Sequence, residues 1–152
     1  MAVHSLTQVQ MIPTSLQEAW NFFSDPKNLS KLTPADMEFK IISEHHGEKM
    51  YAGQLIEYKV KPLFGIAVYW MTEITHLEDL KFFVDEQRYG PYSMWHHQHH
   101  FREVGDGVEM TDIVHYKIPY WFLGEIANLV VVKKKLHSIF EYRKERVRDI
   151  FG

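Results

Sequence analysis

The amino-acid sequence predicts an α+β domain: a curved seven-stranded antiparallel sheet wraps around one long C-terminal helix, with two short helices between the first and second strands. Three observations predict it. Seven runs of strand character are separated by turn signals. After Pro119 the apolar spacing changes from alternation to steps of three and four. The length, 152 residues, suits a single domain spanning residues 1–152, one large enough to build a core without disulfides or metal.

The elements follow in order. Val3–Ile12 reads as a strand ending at Pro13. Ser15 caps a short helix through Phe23, and Glu18 completes a capping box. Asp25-Pro26 ends that helix, and Asn28–Leu32 is a second helical turn closed before Pro34. The remaining strands are Phe39–Ser43, Gln54–Lys61, Ile66–Thr75, Lys81–Gln87, Ser93–Val104 and Val108–Ile118. Phe122, Ile126, Leu129, Val132, Leu136, Ile139, Phe140, Val147 and Ile150 then mark one amphipathic helix of about 30 residues, about 45 Å long. Such a helix must pack its apolar face on the sheet, and a seven-stranded sheet twists too strongly to stay flat. It curls, and a space is left between helix and sheet.

Alternation assigns the inner face. Val108, Met110, Asp112, Val114, Tyr116 and Ile118 share one face, with Asp112 as its polar exception. In the preceding strand Trp95, His97, His99 and Phe101 form the less polar face. A two-residue turn at Asp106-Gly107 would set Phe101 opposite Asp112, His99 opposite Val114, His97 opposite Tyr116 and Trp95 opposite Ile118. His99 then lies diagonal to Asp112, within reach of a hydrogen bond. Ile66, Val68, Trp70, Thr72 and Ile74 point inward, as do Ile56, Tyr58 and Val60. For Lys81–Gln87 the pattern leaves both faces open. The result is an apolar, aromatic interior with few polar points, the make-up of a small-molecule site.

Composition excludes several functions. Net charge is −3 and the pI is near 6.4, with no general nucleic-acid footprint. Lys133, Lys134, Lys135, Arg143, Lys144, Arg146 and Arg148 interleave with Glu141, Glu145 and Asp149 and read as a solvated helix face. There is no cysteine. Met1–Gln10 lack the pattern of a secretory signal, and no apolar run is long enough to span a bilayer. The expected location is the cytoplasm.

Ten histidines, four of them in Trp95–Phe101, require an explanation. His97 and His99 on one face could bind a metal, with Asp112 completing a two-histidine, one-carboxylate set. Glu103 stands at the spacing of half a cupin motif, but the flanking glycines do not match and no second half follows. Hydrogen bonding of the histidines to Asp112 and Tyr116 is the expected arrangement, and neither metal nor cofactor is expected.

The chain resembles the START-like superfamily, also called the polyketide cyclase and dehydrase or birch-pollen-allergen superfamily. The matching residues are Ile12-Pro13, Trp20, Phe23, Asp25-Pro26 and Leu32-Thr33-Pro34. A bacterial branch is resembled by Asp85-Glu86-Gln87, Gly90-Pro91-Tyr92, Trp95-x-His97-x-His99-x-Phe101, Asp112-x-Val114-x-Tyr116, Pro119 and Ile139-Phe140-x-Tyr142-Arg143. The resemblance implies a helix-grip fold with a cavity for hydrophobic ligands. It implies no activity, since such proteins transport lipids, bind hormones or cyclise polyketides.

The expected function is therefore binding of a small hydrophobic ligand, aromatic or lipid-like. The expected ligand-binding residues are Tyr58, Trp70, Thr72, Trp95, His97, His99, Phe101, Asp112, Tyr116 and Phe122. The alternative is a cofactor-independent cyclase or dehydratase with His99 and Asp112 as its acid–base pair. A third reading is a regulatory module that binds a protein partner through the sheet surface. A homodimer would use the outer sheet face or the helix.

Overall fold

The computed structural model describes residues 2–44, 49–119, 126 and 128–152. Strand β1, His4–Ile12, alternates exposed and covered positions until Gln10 and Ile12 are fully buried. Helix α1 spans Leu16–Phe23 and carries the expected capping box: Ser15 Oγ accepts from the Glu18 backbone, and Glu18 Oε2 accepts from the Ser15 backbone. Asp25 caps a 3₁₀ helix over Pro26–Leu32, and a further 3₁₀ turn follows at Ala35–Met37.

The other strands are β2 Lys40–Ile41, β3 Leu55–Val60, β4 Val68–Glu78, β5 Phe82–Tyr89, β6 Met94–Val104 and β7 Gly107–Lys117. All pairings are antiparallel, in the order β1-β7-β6-β5-β4-β3-β2. Two irregularities interrupt the β4–β5 register, between Met71 and Thr72 and between Ile74 and His76. Bulges of this kind add bend and twist, which helps the sheet to curl. The inner face packs on helix α2, Lys133–Phe151, which is preceded by a π-helical turn at Asn128–Val132. Leu136, Phe140, Arg143 and Val147 form the buried stripe of α2. Gln10 Nε2 donates to the Lys144 carbonyl at 2.9 Å, tying β1 to α2. Among the described residues no helix is long and apolar enough to cross a membrane.

Four expectations are corrected. The β6–β7 loop is Gly105-Asp106, because Val104 pairs with Gly107. Gly105 takes φ +58°, a left-handed position that suits glycine at a tight turn. Gly107 stays in the strand, where a Cβ would come within 2.7 Å of the Ile12 carbonyl oxygen. The register therefore shifts by two residues, which preserves the faces but sets His99 directly opposite Asp112. Secondly, Ile66 is 61% exposed and precedes β4. Thirdly, Ile126 and Ile150 are exposed and not part of the buried stripe. Fourthly, Arg143 belongs to the buried stripe and not to the solvated face. The expected helix start at Phe122 lies outside the described residues.

Candidate functional site

A cavity of about 190 Å³ lies between the inner face of the sheet, α2 and the 3₁₀ segments. Its walls are overwhelmingly apolar. Trp70 on β4 stacks against Tyr58 on β3 (ring centroids 5.8 Å apart) and meets Trp95 on β6 edge-on at 5.4 Å. Tyr92 joins this group from the β5–β6 loop, 5.0 Å from Trp95 and 5.7 Å from Trp70. The Gln87 side chain holds it there. Gln87 Oε1 accepts from the Tyr92 N–H at 3.0 Å, and Gln87 Nε2 donates to the Tyr92 carbonyl at 2.7 Å. Burial pushes the Tyr58 and Tyr92 hydroxyls far above the ordinary phenol value. The Trp70 indole N–H is buried without a hydrogen-bond partner, and Trp70 is only 7% exposed.

The polar floor of the cavity comes from three strands and the helix. Pairing of Phe83 with His99 and of Asp85 with His97 turns Phe83 and Asp85 inward on β5. Phe82 is sent outside, against His100. His97 Nε2 donates to Asp112 Oδ1 at 2.8 Å. His99 Nε2 donates to Asp85 Oδ2 at 2.6 Å. The two imidazoles stack 3.7 Å apart, and Phe83 covers His99 at 4.0 Å. His99 Nδ1 stands 3.3 Å from Asp112 Oδ1, at ion-pair distance but without hydrogen-bond alignment. Arg143 Nη2 approaches the same oxygen to 3.8 Å.

Charge distributes unevenly over this cluster. Burial alone would raise the Asp112 pKa. The Arg143 charge, the hydrogen bond from His97 and the close approach of His99 outweigh it and hold the carboxyl well below its ordinary value. Asp85 is likewise lowered, its burial outweighed by His97 and His99. The histidines separate. Burial and the neighbouring His99 charge lower His97. For His99 burial works downward, but the nearby Asp112 carboxylate and the hydrogen bond to Asp85 prevail and raise it.

Of the expected site residues, Tyr58, Trp70, Thr72, Trp95, His97 and His99 line the cavity. Phe101 does not. It packs with Trp20, Phe23 and Phe83 in the core beside α1. Asp112 sits beneath the histidines, 1% exposed, and reaches the cavity only through them. Tyr116 is buried behind Tyr92 and Trp95, its ring against His4. Phe122 falls outside the described residues. Among the lining residues absent from that expectation are Asp85, Tyr92 and Arg143. Arg143 was legible, since it fills the gap in the helical apolar series between Phe140 and Val147. Asp85 was not, because the pattern of its strand allows either face.

Comparison of the fold with solved structures is decisive. A START superfamily protein from Mycobacterium smegmatis superposes with a TM-score of 0.71, covering 97% of this chain and 99% of that one at 9% identity. The ginseng major latex-like protein 151 from Panax ginseng gives 0.68, with 98% and 97% coverage at 12% identity. The chain has the START-like, helix-grip fold. Norcoclaurine synthase from Thalictrum flavum, solved with a transition-state analogue, shares this START-like frame at a TM-score of 0.66, with 99% and 98% coverage and 14% identity. At such identities the likeness concerns the START-like fold and not the site. No family model matches the sequence, and no curated protein matches it.

Proposed function

We propose that this chain binds a small, hydrophobic, aromatic ligand in the cavity between sheet and C-terminal helix. The observation that carries the reading is the apolar cavity of about 190 Å³ walled by Tyr58, Trp70, Tyr92 and Trp95. The Trp70 indole N–H in that wall is buried without a partner, a cost of about 1–3 kcal/mol that a ligand oxygen would offset on a small turn of the ring. The volume sets the ligand's size. An apolar cavity of about 150 Å³ holds one benzene ring, so about 190 Å³ suits one or two small rings and not a long lipid tail. His97, His99 and Asp85 offer further polar contacts at the floor, and Asp112 acts through the histidines.

Native mass spectrometry of freshly purified protein tests this reading. A retained molecule of one or two rings supports it, and Ile139→Trp, which fills the cavity from α2, should abolish retention. A protein that carries nothing, and whose tryptophan fluorescence ignores acetophenone and ethylbenzene at millimolar concentration, would refute it.

A second reading is favoured by one observation, the opposite displacement of His97 and His99. Two imidazoles of unlike basicity at the same cavity wall can serve as a base and an acid together. That pairing suits a cofactor-independent cyclase or dehydratase. Turnover of an enolisable aromatic ketone, lost in His97→Gln and His99→Gln, would support it. Unchanged turnover in both would remove it.

A further inference from the structure

The two histidines are oriented in a way that hydrogen bonding between four residues does not by itself require. Asp112 Oδ1 gathers His97 Nε2 at 2.8 Å and His99 Nδ1 at 3.3 Å. The remaining nitrogen of each ring turns the other way, toward one carboxylate oxygen. His97 Nδ1 is 3.6 Å and His99 Nε2 is 2.6 Å from Asp85 Oδ2. These three ligand atoms all lie within 4.8 Å of one another, and all three residues line the cavity. Asp112 lies on the far side, is almost wholly buried, and does not line the cavity.

We propose that Asp85, His97 and His99 form a binding site for a divalent transition-metal ion of the zinc or iron(II) type at the floor of the cavity. Three features of the floor support this. The donor set is two imidazoles and one carboxylate, the combination that borderline divalent ions take with positions left open. The carboxylate behind the ligands supplies what metal-binding histidines usually have, a partner for the distal ring nitrogen that sets tautomer and ring orientation. Here Asp112 hydrogen-bonds the far nitrogen of His97 and stands at ion-pair distance from that of His99, and Arg143 approaches it in turn. The charge also fits. Asp85 and Asp112 against Arg143 leave one negative charge, which a divalent cation would offset.

Occupancy requires a small rearrangement. Bonds of about 2.0–2.2 Å to nitrogen and oxygen place neighbouring donors farther apart than the 2.6 Å between Asp85 and His99. The stacked rings must splay toward the cavity that both line. The open coordination positions then face the space assigned to the organic ligand. The metal site does not depend on that ligand, since its donors belong to the floor alone.

The test uses the full chain, stripped with a chelator and free of organic ligand. Calorimetric titration with Zn²⁺ should show one equivalent bound at micromolar or tighter concentration. Asp85→Asn and His99→Gln, which alter ligands, should each weaken binding by at least roughly a hundredfold, the upper end of what loss of an orienting partner alone costs. The outer-face double variant His96→Ala/His115→Ala, whose rings lie 6.3 Å apart, should bind as the unaltered protein does. No saturable one-equivalent uptake overturns the proposal. So does uptake unchanged in Asp85→Asn, or uptake lost in the outer-face variant. Should a floor variant unfold, Co²⁺ in the unaltered protein decides. Visible bands of a four- or five-coordinate site with paramagnetic broadening confined to the His97 and His99 ring signals support the site, and broadening of the His96 and His115 signals instead refutes it.

Discussion

Arg143 on the helix and Asp112 on the sheet meet through Nη2 and Oδ1 at 3.8 Å inside the core, and the same guanidinium also acts on Asp85. Asp112 is 1% and Arg143 8% exposed. The guanidinium also lies 5.7 Å from the Phe23 ring, so it reaches both ends of the core.

Removing this guanidinium leaves Asp112 with histidine partners only. Arg143→Met should destabilise the fold by about 3–5 kcal/mol, the range for breaking a buried pair on one side. Urea unfolding at neutral pH measures it. The double variant Arg143→Met/Asp112→Leu should recover much of the loss, because the uncompensated charge goes too. Equal stability of the single variant and the unaltered protein would show that the pair contributes nothing.

The pH dependence has a sign on each side. Asp112 and Asp85 have lowered values in the fold, so their contribution is present above the unfolded carboxyl value near 4 and is lost as pH falls through the folded one. His99 has a raised value. Its contribution is complete below about 6.5, the unfolded value, and is lost as pH rises through the folded value. His97, lowered, works in the opposite sense and loses its contribution as pH falls below about 6.5. Urea midpoints should therefore fall steeply below pH 4. His99→Gln should cost more stability at pH 6 than at pH 9, and an equal cost at both would contradict the assignment of the proton.

Trp70→Phe separates the polar from the apolar part of ligand binding. In the unaltered protein acetophenone should bind about fivefold more tightly than ethylbenzene, the worth of one hydrogen bond of about 1 kcal/mol to the indole N–H. In Trp70→Phe the two affinities should converge. Fluorescence of the remaining tryptophans reports both. A preference that survives the substitution would assign the carbonyl to another donor.

The Tyr92 loop offers a test of how the cavity wall is built. A Cβ on Gly90 would come within 2.5 Å of Gln87 Oε1, the atom that accepts from Tyr92. Gly90→Ala should therefore break the clamp as Gln87→Ala does, each costing about 1–2 kcal/mol for the lost hydrogen bonds. Together they should cost little more than either alone, because they remove the same contact. Additive losses would mean that Gly90 acts through something else.

By itself the sequence determined the architecture and the inward faces of most strands. Alternation of period two and helical steps of three and four are local properties, and they survive any error of register that is a multiple of two. That is why His97, His99 and Asp112 were placed on the inner face although the turn was read one residue late. Only the tertiary structure decided what meets what there. The face of β5 turned on its pairing with β6, not on its own pattern, and that pairing brought Asp85 to the histidines. Arg143 changed from a solvated charge to a buried one because a carboxylate across the core makes its burial tolerable. A one-dimensional pattern carries no information on which charge a distant strand will supply, and the floor of this cavity is made of such pairs.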